Sequence, residues 1–412
     1  MPRPIRPPHR LSPAPLKPGR WAARLGVGFA AAWLAVACST VSGPHIDAAA
    51  VQAYAAGGYA AARHAVTVQR YEWRLGDAPV TVVLARPREA TAAPLVIYLP
   101  ALGEDAEAGA AWRLAWAGAG YAVLSVQPLA GDAQAWRSAL AREGDFKALG
   151  LQRYAAAVLR RRVQRLAAVL DEARRRAIAG EPGWQGIDWD RRALAGRDLG
   201  AYTALALDGE KVDAGAGLAL LVPMGPVRAV VAISPYAQAR PAPGADPYAA
   251  VYGPVLSITS DNDGDPLGLV ADPAQRRWPY EGMPGPDKAL LLLRGLSHER
   301  LSGAPGAALA EGDDVLAGPE SPGEPARPRA GRGRGHGAPG GGTAAGPAPR
   351  VSGSVDDGAV LSPTERERRL TAAQQISTAF LDAYVRDDPL ARAWLADAAA
   401  RWLGGAGTLQ TK

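Results

Sequence analysis

Three stretches of this chain carry side chains of a type and setting that could do chemistry. The first runs R-A-L-A-G-R-D-L-G-A-Y-T from Arg192 to Thr203 and places Asp198 between Gly196 and Gly200. Ala193-Leu194-Ala195 reads as the end of a buried strand and Ala201 onward as a helix, so Asp198 falls at the apex of a sharp strand-to-helix turn. Glycines on either side allow the two backbones to pass where a Cβ would clash. A carboxylate at that apex is either a nucleophile or a helix N-cap, a position Asp favours because it accepts backbone N–H bonds at the positive end of the helix dipole. The second stretch is S-D-N-D-G-D-P, Ser260 to Pro266, which follows the apolar run Val255–Thr259. Its aspartates could orient a base, or they could simply dress a turn. A calcium loop is excluded, because no glutamate stands twelve residues on and no helix leads in. The third is G-L-S-H-E, Gly295 to Glu299, directly after the strand-like K-A-L-L-L-L-R. The chain has five histidines; His9 and His45 lie near the N-terminus, His64 opens a strand and His336 sits in low-complexity sequence. Only His298 stands in a loop just beyond a core strand. A carboxylate, further acids and an imidazole are the ingredients of nucleophilic and general-base chemistry.

The elements that must position them follow from the patterning. Val66, Val68, Tyr71 and Trp73 alternate as one strand and Val80–Ala85 forms a second after the Gly76-Asp77 turn. Leu95–Leu99 is a continuous apolar run of the kind buried in a parallel sheet. It leads through P-A-L-G-E (Pro100–Glu104) to a helix with Trp112 and Trp116, and then to the strand Gly120–Val126, which makes a β-α-β unit. A long helix is expected over about Leu149–Ile178. Its Arg160–Arg162 and Arg174–Arg176 read as a solvated face, with anionic lipid as the alternative contact. Val227–Ser234, Val255–Thr259 and Lys288–Arg294 complete the strands. Residues 304–363 are rich in Gly, Pro and Ala and are expected to be a disordered insertion. A helix from Thr364 to about residue 404, with Ile376, Phe380, Tyr384, Trp394 and Trp402 apolar, is expected to close onto the sheet.

Composition narrows the function classes. The net charge of +6 comes from 46 basic residues, but only five are lysine and the arginines are scattered over helix faces and tails. No basic stripe interleaved with aromatics is present, so nucleic acid is not an expected partner. The one cysteine, Cys38, excludes an internal disulfide and any cysteine-based metal cluster. Residues 1–24 are basic and free of acid, and the apolar run Leu25–Ala37 is too short to span a bilayer but suits a signal-peptide core. Its end, L-A-V-A-C-S (Leu34–Ser39), resembles the lipobox of bacterial lipoproteins, although the leucine stands four residues before the cysteine and not three. That resemblance implies lipidation at Cys38, a signal peptide over 1–37 and a tether over 38–63, whose Ala/Gly-rich residues 40–63 read as a tether or short helix. With Ser39 next, it implies a protein anchored to the periplasmic face of the outer membrane. The alternative is an ordinary secretory signal with an incidental cysteine.

Taken together, Y-L-P-A-L-G-E, G-R-D-L-G-A-Y-T-A-L, S-D-N-D-G-D-P-L-G-L-V and L-S-H-E-R-L-S-G resemble an α/β-hydrolase-fold lipoprotein of the dienelactone-hydrolase or platelet-activating-factor-acetylhydrolase-like type. The likeness covers about residues 64–303 plus the C-terminal helix. It implies a mostly parallel central sheet flanked by helices with no large cap domain, and the chain order nucleophile, acid, histidine. Asp198 then stands where the family has serine, Asp263 is the triad acid with Asp265 as runner-up, and His298 is the base. The backbone N–H groups of Leu199 and of Ala101 or Leu102 would form the oxyanion hole. No cofactor or metal is implied, and the partner is a small-molecule substrate. A carboxylate nucleophile attacks an sp3 carbon that bears a leaving group, whereas on an ordinary ester it would give an awkward mixed anhydride. The other class of reading is an envelope lipoprotein that keeps this fold as a scaffold or binding module without turnover.

Overall fold

A nine-stranded sheet forms the spine of the protein in the computed structural model, which describes residues 45–89, 91–212, 227–237, 240, 246–304 and 361–412. These belong to one compact unit over residues 44–412. In chain order the elements are α1 (Ala48–Ala56), β1 (Val66–Leu75), β2 (Ala78–Pro87), β3 (Ala93–Leu99), α2 (Ala110–Gly118), β4 (Ala122–Val126), α3 (Ala130–Ala133), α4 (Ala139–Arg142), α5 (Phe146–Tyr154), α6 (Ala156–Ile178), β5 (Ile187–Arg197) and α7 (Leu199–Asp208). Then come β6 (Ala229–Ile233), β7 (Val255–Ser260), α8 (Trp278–Gly282), β8 (Lys288–Leu293), α9 (Pro363–Val385), α10 (Pro389–Asp397), α11 (Ala399–Leu403) and β9 (Gly407–Thr411). The fold is therefore α/β. Cys38, with the signal and most of the tether's first residues, and residues 305–360 lie outside the described residues.

The strand order is β1-β2-β4-β3-β5-β6-β7-β8-β9. β1 and β2 form an antiparallel hairpin closed by Gly76 at φ 59, β2 meets β4 antiparallel, and the run from β4 through β8 is parallel. β9 adds antiparallel to β8 at the far edge. Every residue of β3, β4 and β6 is buried, as expected for parallel strands covered on both faces. On one face α6 and α7 pack Leu159, Val163, Leu166, Leu199 and Leu205 against the sheet. On the other, α2 and α9 bring Trp112, Trp116, Ile376 and Phe380. A fully buried side chain of this size contributes about 1.5–3 kcal/mol relative to leaving it exposed.

The structure departs from the sequence reading in three places. The long helix expected from Leu149 is broken at Ala155, which is extended at φ −56, ψ 140, and α5 and α6 are separate. Residues 154–157 read Y-A-A-A and contain neither proline nor glycine. Packing overrides propensity here, since Gly150 fits under Leu267 and Leu269 while Tyr154 turns in beside Tyr202 and Tyr236. Arg162, expected on a solvated face, is 1% exposed and holds the buried Asp132 at 2.8 Å. The C-terminal helix is three helices, because Asp387 adopts φ 58 and Asp388-Pro389 starts a new one with the Asp388 side chain as its N-cap. Of the two readings for residues 40–63, tether or short helix, the helix is present: α1 lies against α9, and its Tyr54 stacks on Trp402 of α11 at 4.7 Å.

Candidate active site

β5 ends at Arg197 and α7 begins at Leu199, so Asp198 is the whole turn between them. Its backbone sits at φ 51, ψ −110, a region that residues other than glycine rarely occupy. The conformation is held from both sides: its N–H donates to the Ile233 carbonyl at 2.9 Å and its carbonyl accepts from the Tyr202 N–H at 3.0 Å. The two glycines are required by space. A Cβ on Gly196 would strike the backbone of Gly200, and one on Gly200 would strike the Leu99 carbonyl. The Asp198 side chain makes no capping bond to the first turn of α7. The N-cap alternative therefore fails on geometry, for a reason visible in the dihedrals: a capping Asp needs an extended backbone.

β3 has β4 on one side and β5 on the other, so the order of connection reverses between β3 and β5. Such a switch point opens a crevice at the carboxyl ends of the strands. Asp198 follows β5 and the Pro100–Glu104 loop follows β3, so both lie at that crevice. Asp263 follows β7 and His298 follows β8 at the same edge.

Each aspartate of the acid-rich loop has a different task. Asp261 accepts the Gly295 N–H at 2.5 Å and ties its loop to the one after β8. Asp265 accepts the N–H groups of Leu267 (3.0 Å), Leu269 (2.5 Å) and Val270 (2.7 Å), which organises a turn and leaves no role with the histidine. Asp263 points inward with no exposed surface, and its Oδ1 lies 2.7 Å from His298 Nδ1. A carboxylate only accepts, so Nδ1 carries the proton and Nε2 is the unprotonated nitrogen of the neutral ring. Arg276 Nη2, 3.4 Å from Nδ1, is then a close contact and not a donor to it.

Burial alone would raise the Asp263 pKa, but the Arg276 guanidinium, the His298 bond and the Thr259 hydroxyl (2.7 Å) outweigh it and hold the carboxyl below its ordinary range. Arg276 is fully buried, with Nε 3.3 Å from Asp263 Oδ1 and Nη1 donating to the Ser234 and Pro235 carbonyls at 2.8 and 3.2 Å. It fixes the acid loop to the end of β6. Nothing in the sequence singles it out, since its contacts are all far along the chain.

The loop after β3 is nearly saturated. The Ala101 N–H donates to Glu104 Oε2 at 2.9 Å, the Gly103 N–H to the Asp132 carbonyl at 2.8 Å, and Gln127 Nε2 donates to the carbonyls of Ala101 (3.0 Å) and Glu104 (3.1 Å). Ala101 is thereby removed as an oxyanion donor: its N–H is already taken by a carboxylate. Among the described residues the Leu102 N–H makes no hydrogen bond, and neither does the Leu199 N–H at the start of α7. The first N–H groups of a helix have no intrahelical acceptor, so Leu199 supplies one of the open donors at the start of α7, and with the Leu102 N–H it is suited to hold developing negative charge. Tyr154, brought in by the break before α6, is a further neighbour. Its phenol is pushed well above the usual pKa, first by burial and then by the Asp198 carboxylate. Its hydroxyl has no hydrogen bond of ordinary length and angle, so charge and not a formed bond couples the pair.

Among the described residues no hydrogen bond joins Asp198 to His298, and no group of three or more His, Cys, Asp or Glu side chains could hold a metal ion. No protein-family model matches the chain, and no curated protein is significantly similar to it.

Proposed function

We propose that the protein is a hydrolase of the α/β-hydrolase fold that acts on a small alkyl or ester-like substrate through Asp198, Asp263 and His298. The observation that carries this reading is Asp198 itself: a 5% exposed carboxylate on a strained turn, free of any capping bond, at the switch-point crevice. Strained backbone persists only where its surroundings hold it, and it clusters at reacting centres. The Asp198 carboxylate attacks an sp3 carbon of the substrate, an alkyl-enzyme ester forms, and the leaving group departs with the bonding electron pair. His298 Nε2 then takes a proton from water, whose oxygen adds to the Asp198 carbonyl carbon. The resulting oxyanion is held by the N–H groups of Leu102 and Leu199. Collapse releases the alcohol, which takes the proton from His298, and the remaining acid proton passes to solvent with the expelled leaving group as Asp198 returns to the carboxylate. Asp263 keeps the ring in the tautomer that leaves Nε2 basic.

The signal and Cys38 support placing this activity in the bacterial cell envelope, anchored by lipid to the outer membrane on its periplasmic face, with a membrane and a small molecule as partners. The near-complete burial of Asp198 favours a second reading, a scaffold or binding module without turnover. The discriminating experiment uses His298→Gln with a panel of haloalkanes, epoxides and aryl esters that the wild type turns over. The first step proceeds and the second stops, so a mass increase should accumulate on the Asp198 peptide, and Asp198→Asn should show none. Undiminished turnover by Asp198→Ala would remove the nucleophile assignment, and wild-type inertness to every substrate class leaves the scaffold.

A further inference from the structure

Arg197, the residue before Asp198, has a side chain that links several parts of the site. It is 4% exposed. Its Nη1 lies 2.6 Å from Glu104 Oε1, and its Nη2 donates to the His298 carbonyl at 2.8 Å. The other oxygen of Glu104 accepts the Ala101 N–H at 2.9 Å. One guanidinium therefore joins the loop bearing the Leu102 N–H to the loop bearing His298, and its own backbone runs directly into Asp198. Burial works against the Arg197 charge, but Glu104 first and then Asp198 outweigh it and raise its pKa.

A buried ion pair is poor evidence of a stabilising device, since desolvation offsets most of its attraction. Arg197 Nε is moreover buried with no acceptor. What the pair does supply is geometry, because a planar fork fixes two acceptors relative to each other as an ammonium cannot.

We propose that Arg197 is a positioning residue that holds the Leu102 N–H and the His298 ring in register with Asp198, through Glu104 on one side and the His298 carbonyl on the other. This rests on the hydrolase reading for its purpose, but its geometry can be tested without turnover. The readouts are the Leu102 amide resonance and the low-field Nδ1–H resonance of His298 in the full chain. Glu104→Gln keeps an acceptor for the Ala101 N–H yet removes the charge that holds Arg197. The expected result is that both resonances shift together, although among the described residues no hydrogen bond joins His298 to Glu104 or its loop. Arg197→Lys, which retains the charge but cannot reach both acceptors, should shift or broaden both, with the far-UV circular dichroism unchanged. A Leu102 shift with an unmoved His298 signal in Glu104→Gln overturns the proposal, as do two unmoved signals. That variant decides the matter even if Arg197→Lys fails to fold. Should a substrate be in hand, Arg197→Lys is expected to lower kcat by about 10- to 100-fold at nearly constant KM, the scale of a small misplacement of reacting groups. Failure of the nucleophile assignment would leave the resonance result standing, so the two ideas fail separately.

Discussion

Replacing Asp198 by glycine should make the protein more stable while removing its proposed chemistry. At φ 51, ψ −110 a side chain bears a conformational cost that glycine does not, on the order of 1–3 kcal/mol for such regions. Against this, glycine gives up about 0.5–1 kcal/mol through the greater freedom of its unfolded state. The Asp198 carboxylate accepts no capping bond that the substitution would lose. The net expectation is a gain of about 1 kcal/mol. In a chain of this size that corresponds to a rise in Tm of about 1–2 °C, with a higher urea midpoint at unchanged slope. Asp198→Ala is the control, since it keeps the strain and removes the carboxylate. Were the residue a helix cap, alanine would cost about 1 kcal/mol and glycine a few tenths. A fall in Tm for Asp198→Gly, or a loss of about 1 kcal/mol for Asp198→Ala, would therefore refute the argument from strain. Stability gained at the expense of a reacting group is the trade-off expected of an active site.

Further expectations bear on other parts of the molecule. Asp263→Asn should slow hydrolysis of the alkyl-enzyme ester and accumulate the Asp198 adduct, because an amide can hold the ring in the wrong tautomer; quantitative mass spectrometry would detect it, and an unchanged turnover rate would contradict the role. Asp263 also carries a pH signature: its folded pKa is depressed, so its stabilisation is present above about pH 4 and is lost as pH falls through the folded value. Asp208 has the opposite sign. Burial raises it to about 7, with Lys288 opposing, so the native state takes up a proton and stability should decline as pH rises from about 4 to about 7. Asp208→Asn should flatten that slope in urea titrations, by at most about 4 kcal/mol across the window given about 1.36 kcal/mol per unit; a slope unchanged in the variant would sink the assignment. Finally, Cys38→Ala should move the protein from the membrane pellet to the soluble fraction, and retention in the pellet would rule out a lipid anchor.

Much of the site could be read directly from residue order. The glycines around Asp198, the apolar runs of β3 and β5 through β8 and the isolated position of His298 all follow from local rules, because a parallel strand and a tight turn each impose a pattern on adjacent residues. The start of α10 at Asp388-Pro389 has an equally local signature, an N-cap followed by proline, although a single helix was expected there. Other choices depended on groups far apart in the chain. Asp263 and Asp265 are two residues apart in one loop, and only the fold shows that one reaches His298 while the other binds backbone N–H groups. The occupation of the Ala101 N–H by Glu104 leaves Leu102 as the open donor, a result of side-chain reach and not of spacing. Arg162 was expected on a solvated face and is buried against Asp132, and Arg276, which no local pattern marks, is buried among the carbonyls of Asp263 and Ser234. Sequence determined which residue types line the carboxyl edge of the sheet; tertiary packing decided which of their hydrogen-bonding groups were already satisfied, since each donor can be spent only once and its partner is chosen by proximity in space.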